Sequence, residues 1–328
     1  MTLTAADFRA LVAEANLAPS VHNVQPTRWR LEPNGEVLLF DDPSRRLTFG
    51  DPTGRDAAVS HGAALEGFAL ACAARGLGVR VQAPPIVSAA DPTTVARLSL
   101  ETGAAPDPLR PLVPTRRTYR GAFRPGGDAG RLEALTAEGD VVLATASSAI
   151  ARLAELNDEA SLRTFRDAAF RAELVSWMRL SRAHPRWALD GLNAEAMRMS
   201  GVEAAAAGFV LRPGVFETLD RLGVAGALVA EAKVVRSAQA VALFHRPEGE
   251  PPLVTGRRFH RLWLGFTAAG VSAAPMAVLA DDADARATIA REFGVPAGRR
   301  LITAFRLGVA PPLDLGPKPR LPVEALIV

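Results

Sequence analysis

The stretch Ala18-Pro19-Ser20-Val21-His22-Asn23-Val24-Gln25-Pro26 decides how this chain is read. Each proline disfavours the α conformation in the residue before it, so a helix arriving at Leu17 stops there and an extended segment leaves after Pro26. The interval is therefore a loop. It carries the hydroxyl of Ser20, the imidazole of His22 and the carboxamides of Asn23 and Gln25, a set able to donate and accept along the edge of a flat polar heterocycle. The same residue types also serve an ordinary helix-to-strand turn by capping backbone groups, and the string alone leaves both readings open. Upstream, Thr4 followed by Phe8, Leu11, Val12 and Ala15 at helical spacing predicts an amphipathic helix over 4–17. Downstream, Arg28 to Leu31 and Glu36 to Phe40 alternate across Asn34-Gly35, the commonest short hairpin signal.

Followed by Arg28-Trp29-Arg30, the loop resembles the A/S-P-S-x-x-N-x-Q-P-W segment of the nitroreductase-like flavoproteins, and more narrowly that of their twin-type, single-chain Acg-like branch. The tryptophan that follows Gln-Pro in that segment is Thr27 here, and the nearest one is Trp29. The resemblance implies that Pro19, Ser20, His22, Asn23 and Gln25 lie against the ring system of FMN. It also implies an α+β, nitroreductase-like fold made of two fused pseudo-symmetric halves, with sheets flanked by helices around a central helical core.

A chain of 328 residues is long for one ordinary domain and long enough for two similar halves. Hydrophobic residues at 48% and charged residues at 22% describe a globular protein with a sizeable core. No run approaches the ~18 apolar residues of a membrane span. Met1 to Asp7 lacks the basic and apolar regions of a secretory leader, which leads to an expectation of a cytoplasmic protein. Cys72 is the single cysteine, so an intrachain disulfide and a cysteine-based zinc site are excluded. The net charge of +3, with no basic run interleaved with aromatics, gives no support to a nucleic-acid partner.

From Arg55 to Arg75 the pattern predicts a helix apolar almost all round, hence buried, ended by Gly76. Short strands follow at Val79 to Val81 and Val95 to Leu100, separated by Pro84-Pro85. Thr102 to Pro114, with Pro106, Pro108, Pro111 and Pro114, reads as an extended connector. In the second part, a strand at Val141 to Ala144 leads into a long helical region from Ala149 to Leu180. Residues 184–223 read as a less regular insertion, the best candidate for a lid and equally compatible with inert packing. Lys233 to Phe244 reads as a strand, Gly256 to Ala269 as a helix stopped by Gly270, Val271 to Met276 as a loop and Leu301 to Leu307 as a final strand.

The two parts echo each other. Gly62 and Gly76 are separated by the same interval as Gly256 and Gly270, Leu70 and Leu264 occupy matching places, and each terminal glycine precedes a branched aliphatic, Leu77 or Val271. Duplication is the simplest account, with chance matching in an Ala/Gly-rich chain as its competitor. The division expected is 1–109, carrying the loop, and 110–328, carrying the basic segments described next.

Arg116-Arg117-Thr118-Tyr119-Arg120 combines planar guanidinium forks with a hydroxyl, the parts a phosphate needs, although a solvated basic turn has the same composition. It is similar to the R-R-T/S-x-R segment that opens a nitroreductase subunit, which implies that Arg116, Arg117, Thr118 and Arg120 take part in holding FMN. Lys318-Pro319-Arg320 is similar to the family's C-terminal K-x-R, which returns to the same phosphate. The resemblance also places backbone amides around Ser272 and Ala274 near the reactive N5 edge. Because the Pro-Ser loop occurs only in the first half and Arg-Arg-Thr only in the second, one composite site per chain is expected.

His61 reads as a satisfied core or capping histidine, and His184, His245 and His260 lack the spacing of a zinc site. There is no G-x-G-x-x-G after a strand, no phosphate-binding P-loop and no G-x-S-x-G elbow. The resulting expectation is an FMN enzyme in which hydride from NADH or NADPH passes through flavin N5 to a nitroaromatic, quinone or similar small acceptor, with no side-chain acid or base required. It would be a monomer, itself a pseudo-dimer within one chain, or a weak homodimer. The competing expectations are a non-catalytic protein that sequesters flavin beneath 184–223, and a degenerate member that binds none.

Overall fold

The computed structural model describes residues 3–82, 93–125, 130–312 and 317–328. The expected break at Pro84-Pro85 lies outside the described residues. The first part runs α1 (Ala5–Ala15), β1 (Thr27–Leu31), β2 (Val37–Asp41), α2 (Arg55–Ala73), β3 (Leu77–Gln82) and β4 (Thr94–Thr102). The Thr4 side chain caps α1 by accepting from the amide of Asp7, and Phe8, Leu11, Val12 and Ala15 form its buried face. After the connector come α3 (Gly130–Glu133), β5 (Val141–Ala144), α4 (Ser147–Arg166), α5 (Ala168–Trp177), β6 (Met178–Arg179) and β7 (Leu192–Asn193). The helices α6 (Gly201–Val210), α7 (Val215–Arg221), α8 (Ala225–Val229) and α9 (Ala232–Val235) lead to β8 (Ala240–Pro247) and α10 (Pro252–Ala268). The chain then runs through β9 (Ser272–Met276), α11 (Val278–Asp281), α12 (Ala283–Phe293) and β10 (Arg299–Gly308).

The fold is α+β. Its two four-stranded sheets have the orders β1-β2-β4-β3 and β5-β8-β10-β9, in both cases first, second, fourth, third along the chain, with every pairing antiparallel. In the first sheet the leading pair is joined by a tight turn at Gly35, where φ is +86°, and in the second by everything from α4 to α9. The segments leaving each sheet cross to the other. Thr118 bridges to Ala273 on β9, and Ile327 bridges to Trp29 on β1.

Between the sheets α2 packs against α10, and glycine makes this possible. A Cβ on Gly62 would lie 2.2 Å from the carbonyl oxygen of Leu253, and one on Gly256 would lie 2.1 Å from that of Val59. The contact is reciprocal, each glycine meeting the carbonyl three residues before the other. The glycines that suggested a repeat are thus where the two helix backbones touch. Trp29, buried and stacked on Phe68 at 4.8 Å between ring centroids, belongs to the core of the first sheet.

Several expectations need correction. The long helix over 149–180 is broken at Asp167, whose carboxylate caps a new helix by accepting from the amides of Ala169 and Phe170. Residues 184–223 are irregular only in their first half: apart from the short β7, 184–200 run as turns, whereas α6 and α7 follow, and Phe216 and Leu211 pack with Leu174, Met178 and Ala225 into a separate small core. Lys233 to Val235 is helical and the strand begins at Ala240. The amides of Glu231 and Ala232 before that turn are held by the carboxylate of Asp158, at 2.8 and 3.3 Å. Val271 to Met276 is mostly strand: β9 pairs with β10 as an edge of its sheet, which accommodates Pro275 because an edge strand can leave an N–H missing.

Candidate functional site

The loop between Pro19 and Pro26 contains a 3-10 turn, Val21–Asn23, and three of the loop's residues other than glycine have left-handed backbone, His22 at φ +45°, Asn23 at +55° and Gln25 at +52°. Such conformations are strained for residues with a Cβ and persist only where surrounding contacts hold them. The contacts are specific. Ser20 Oγ accepts from the Gln25 amide at 3.0 Å, Asn23 Nδ2 donates to the Pro319 carbonyl at 3.2 Å, and Asn23 Oδ1 accepts from Arg320 at 2.8 Å. The Gln25 carboxamide lies in the protein interior. Its Nε2 donates to the carbonyls of Leu189 (2.8 Å) and Asn23 (3.3 Å), while its Oε1 accepts from the amide of Leu321 (2.9 Å). Both of its N–H donors are engaged, so Gln25 clamps the loop to its neighbours. Asn23 is likewise bound on both sides to the C-terminal tail. Pro19, Ser20 and Gln25 line a cavity of about 20 Å³.

His22 is different. Its Nδ1 is buried without a partner, and burial, with Arg120 nearby, pushes its pKa down to about 4, so the imidazole is neutral near pH 7. Arg120 donates to the Ala196 carbonyl at 3.3 Å.

Behind the loop the basic segments converge on the C-terminal end of α1. Arg320 donates to the carbonyls of Asn16, Leu17 and Ala18, and Arg116 to that of Leu17 at 3.2 Å. Carbonyls at a helix C-terminus lack intrahelical partners and carry partial negative charge, which suits guanidinium groups. Arg116 is also stacked 4.5 Å over the ring of Trp263, and Lys318 donates to the Val113 carbonyl at 2.8 Å. The hydrogen bonds described for Arg116, Lys318 and Arg320 all run to carbonyl or amide oxygens, none to a carboxylate.

The electrostatic consequence is large. Burial, then Arg116, Arg320 and Arg117, push Lys318 down to about 5. Burial, then Arg320 and Arg117, push Arg116 down to about 9, and burial with Arg117 pushes Arg320 down to about 10. Arg117 itself is lowered by burial. His260, fully buried on α10 with Nδ1 2.8 Å from the Ala63 carbonyl, is driven to about 3 by burial and then by Arg116. Its Nε2 and the Nε of Arg116 are both buried without partners. The His260 Nδ1 holds the ring proton that it donates to Ala63, so its Nε2 is an acceptor, and the unmatched donor is the Nε of Arg116. Arg116, Arg117 and Arg320, crowded around Lys318, have the chemistry to take a multiply charged anion such as a phosphate by charge-assisted hydrogen bonds.

Sequence reasoning placed Arg116, Arg117, Lys318 and Arg320 at one phosphate and Asn23 with Ser20 and His22 at the ring; the structure brings the four cations together, and it engages both ends of the Asn23 carboxamide with Pro319 and Arg320 of that group's tail. Thr118, with Tyr119, lies against β9: the Tyr119 amide donates to the Ala273 carbonyl at 3.0 Å, which sets the Arg116–Arg120 segment beside Ser272 and Ala274. It missed Trp263 and His260, which follow Gly256 at i+7 and i+4 and therefore share its face of α10. His61 is a core residue, bridging Thr27 Oγ1 at 2.9 Å and Asp41 Oδ1 at 3.1 Å. Among the described residues no cluster of His, Cys, Asp or Glu could hold a metal ion, and no helix is long and apolar enough to cross a membrane.

Comparison with known proteins follows from this geometry. A Mycobacterium tuberculosis protein named "Putative NAD(P)H nitroreductase" is 34% identical over 179 residues, 52% of this chain and 50% of that protein. A second of that designation from the same organism, acg, is 41% identical over 78 residues, 24% of this chain and 23% of its own. The chain resembles the nitroreductase-like proteins. The similarity carried by the Pro-Ser loop therefore extends beyond the loop, and the match spans about half the length of the first of these relatives. No family model matches the chain. Among solved structures, an FMN-bound nitroreductase from Bacteroides fragilis aligns with a TM-score of 0.35 and 12% identity, covering 62% of this chain and 89% of that one. The FMN-dependent nitroreductase NfnB from Mycobacterium smegmatis, solved with NADPH, aligns with a TM-score of 0.34 and 22% identity over 61% and 86%.

The state of Lys318 yields a prediction. In the unfolded chain its pKa is ordinary, about 10.4, so between that value and about 5 the folded protein binds fewer protons than the unfolded one. Stability from this group therefore rises with pH across the window and is lost as pH falls through it. An anion that restores the ammonium must draw in a proton. Calorimetry at about pH 8, where inorganic phosphate is already a dianion, should show proton uptake on phosphate binding, read from buffers of different ionisation enthalpy. Lys318→Met should reduce that uptake, and phosphate binding without proton uptake by the wild type would contradict the assignment.

Proposed function

We propose that this protein is an FMN-dependent oxidoreductase that takes hydride from NADH or NADPH and delivers it to a quinone, a nitroaromatic or a similar small acceptor. The observation that carries this reading is the buried group of three arginines, Arg116, Arg117 and Arg320, around Lys318, whose amine an arriving phosphate would protonate, with Arg116, Lys318 and Arg320 bonded to carbonyls. Arg116, Arg117, Lys318 and Arg320 would hold the FMN phosphate. Pro19, Ser20, His22 and Asn23 from the loop, with Thr118, Arg120, Ser272 and Ala274 from the facing half, would border the ring, and Gln25 would keep the loop in place.

When bound, FMN supplies the redox chemistry, accepting two electrons and a proton from the nicotinamide and returning them to the acceptor. The contribution of the chain is orientation and electrostatics. Neutral His22 gives the loop a buried polar atom without adding positive charge, and Arg120 supplies a cation beside it, where negative charge on a reduced ligand would be stabilised. The matching strand orders and reciprocal glycine contact support an internal duplication divided as 1–109 and 110–328. One site per chain follows from the one-sided distribution of the motifs, in a cytoplasmic protein that is a monomer or weak homodimer.

Anaerobic stopped-flow mixing tests the reading. NADH or NADPH should bleach the bound flavin, an added quinone should restore it, and steady-state kinetics should be ping-pong as the two substrates alternate in one pocket. Loaded full-length protein that resists excess nicotinamide, but reacts once 184–223 is opened or removed, would instead support sequestration.

A further inference from the structure

Four consecutive residues of the segment between β6 and β7 each make one connection to the site. The Ala188 carbonyl accepts from the Arg320 amide at 3.1 Å, and the Leu189 carbonyl accepts from Gln25 Nε2 at 2.8 Å. The Asp190 carboxylate binds Arg45, which in turn donates to the Val24 carbonyl, and the Gly191 amide donates to the Asn23 carbonyl at 3.3 Å. Ala188 thus reaches the cationic tail, while the next three residues reach the strained loop.

Asp190 organises this segment. Its side chain has no solvent exposure and takes three guanidinium groups: Arg45 at 3.0 Å, Arg179 at 3.0 Å and Arg186 at 2.9 Å. Burial alone would raise its carboxyl, but hydrogen bonds from Arg186, Arg179 and Arg45 hold it below the ordinary range, so it is ionised at neutral pH. Gly191 is required beside it. It has φ +74°, and a Cβ there would fall 2.3 Å from the Trp177 carbonyl.

We propose that Ala188–Gly191 is a brace, with Asp190 as its positioning residue, that holds His22, Asn23 and Gln25 in their left-handed conformations and ties the loop to the Lys318–Arg320 tail. The proposal rests on the reading of the loop and tail as one cofactor site, and it corrects the view of 184–223 as a lid throughout: its beginning is a fixed support. Without the carboxylate, the buried guanidinium groups of Arg45 and Arg179 and the more exposed one of Arg186 lose their shared counterion, Arg45 no longer anchors Val24, and the loop relaxes.

Hydrogen exchange of the protein without added flavin tests the brace independently of cofactor binding. Asp190→Asn should raise exchange at least tenfold in peptides covering 18–26 and 317–321, and leave the β8 peptide 240–247 unchanged. Arg45→Gln, which cuts the link to Val24 but leaves Asp190 two arginines, should do the same for 18–26 alone. In flavin-loaded protein, Asp190→Asn should also alter the ratio of affinities for reduced and oxidised FMN, which general loosening of the fold would not shift. Wild-type exchange at 18–26 in both variants overturns the brace, as does an increase spread evenly over 240–247. If the wild type binds no FMN, the cofactor reading fails, while the exchange experiment still decides the brace.

Discussion

Gly256→Ala is expected to destabilise the protein by ~2–3 kcal/mol or more, the upper end for an overpacked core, although alanine is the better helix former. The added methyl would sit 2.1 Å from the Val59 carbonyl and less than 3 Å from the Gly62 backbone. Its neighbours are two backbones and not the ends of flexible side chains, so relief requires moving α2 off α10. That movement would also disturb His260 and Trp263, which hang from the same face of α10 and support the cation cluster. Gly226→Ala is the control: its Cβ would meet only Leu162, at 3.6 Å, and the change should be neutral or stabilising by up to ~1 kcal/mol. Urea unfolding of both variants gives the comparison. A Gly256→Ala protein as stable as the wild type would remove the glycine contact as the joint between the two sheets.

How much of this was legible beforehand follows from local chemistry. The glycines ending α2 and α10 and the Asn34-Gly35 turn are short-range signals, and the elements they bound were read within a few residues. The break at Asp167 was missed because the apolar face resumes on both sides of it, masking a capping residue inside a periodic pattern. The helix at Ala232–Val235 begins with amides held by Asp158, a partner far away in the sequence. Strand β9 was hidden by Pro275, tolerated only at the edge of a sheet. At the site, the residue types pointed to hydrogen bonding and cation clustering but not to which partner each side chain takes. That Gln25 faces inward, and that Arg320 ties Asn23 to α1, depend on a tail that returns from the opposite end of the chain. The brace at 188–191 had no sequence signal, because three of its four links are made by backbone groups.

The second large effect is expected at Arg117. It is half-buried, it adds to the charge that depresses Arg116, Lys318 and Arg320, and its removal leaves the Arg116–Trp263 stack and the Arg320 contacts with α1 in place. A hydrogen bond to a charged group contributes ~1.5–3 kcal/mol, so Arg117→Ala should weaken FMN binding by about ten- to a hundredfold. Riboflavin, which shares the ring but lacks the phosphate, should bind poorly to wild type and variant alike. Arg320→Ala is a less clean test, because it also removes the side chain that joins Asn23 to the end of α1.

The most direct measurement is a titration of the wild-type protein with FMN and, separately, riboflavin, followed by the visible absorption and fluorescence of the flavin. One FMN should bind per chain, at least tenfold more tightly than riboflavin. Equal affinity for the two flavins, or no binding of FMN, would contradict the assignment of Arg116, Arg117, Lys318 and Arg320 to its phosphate.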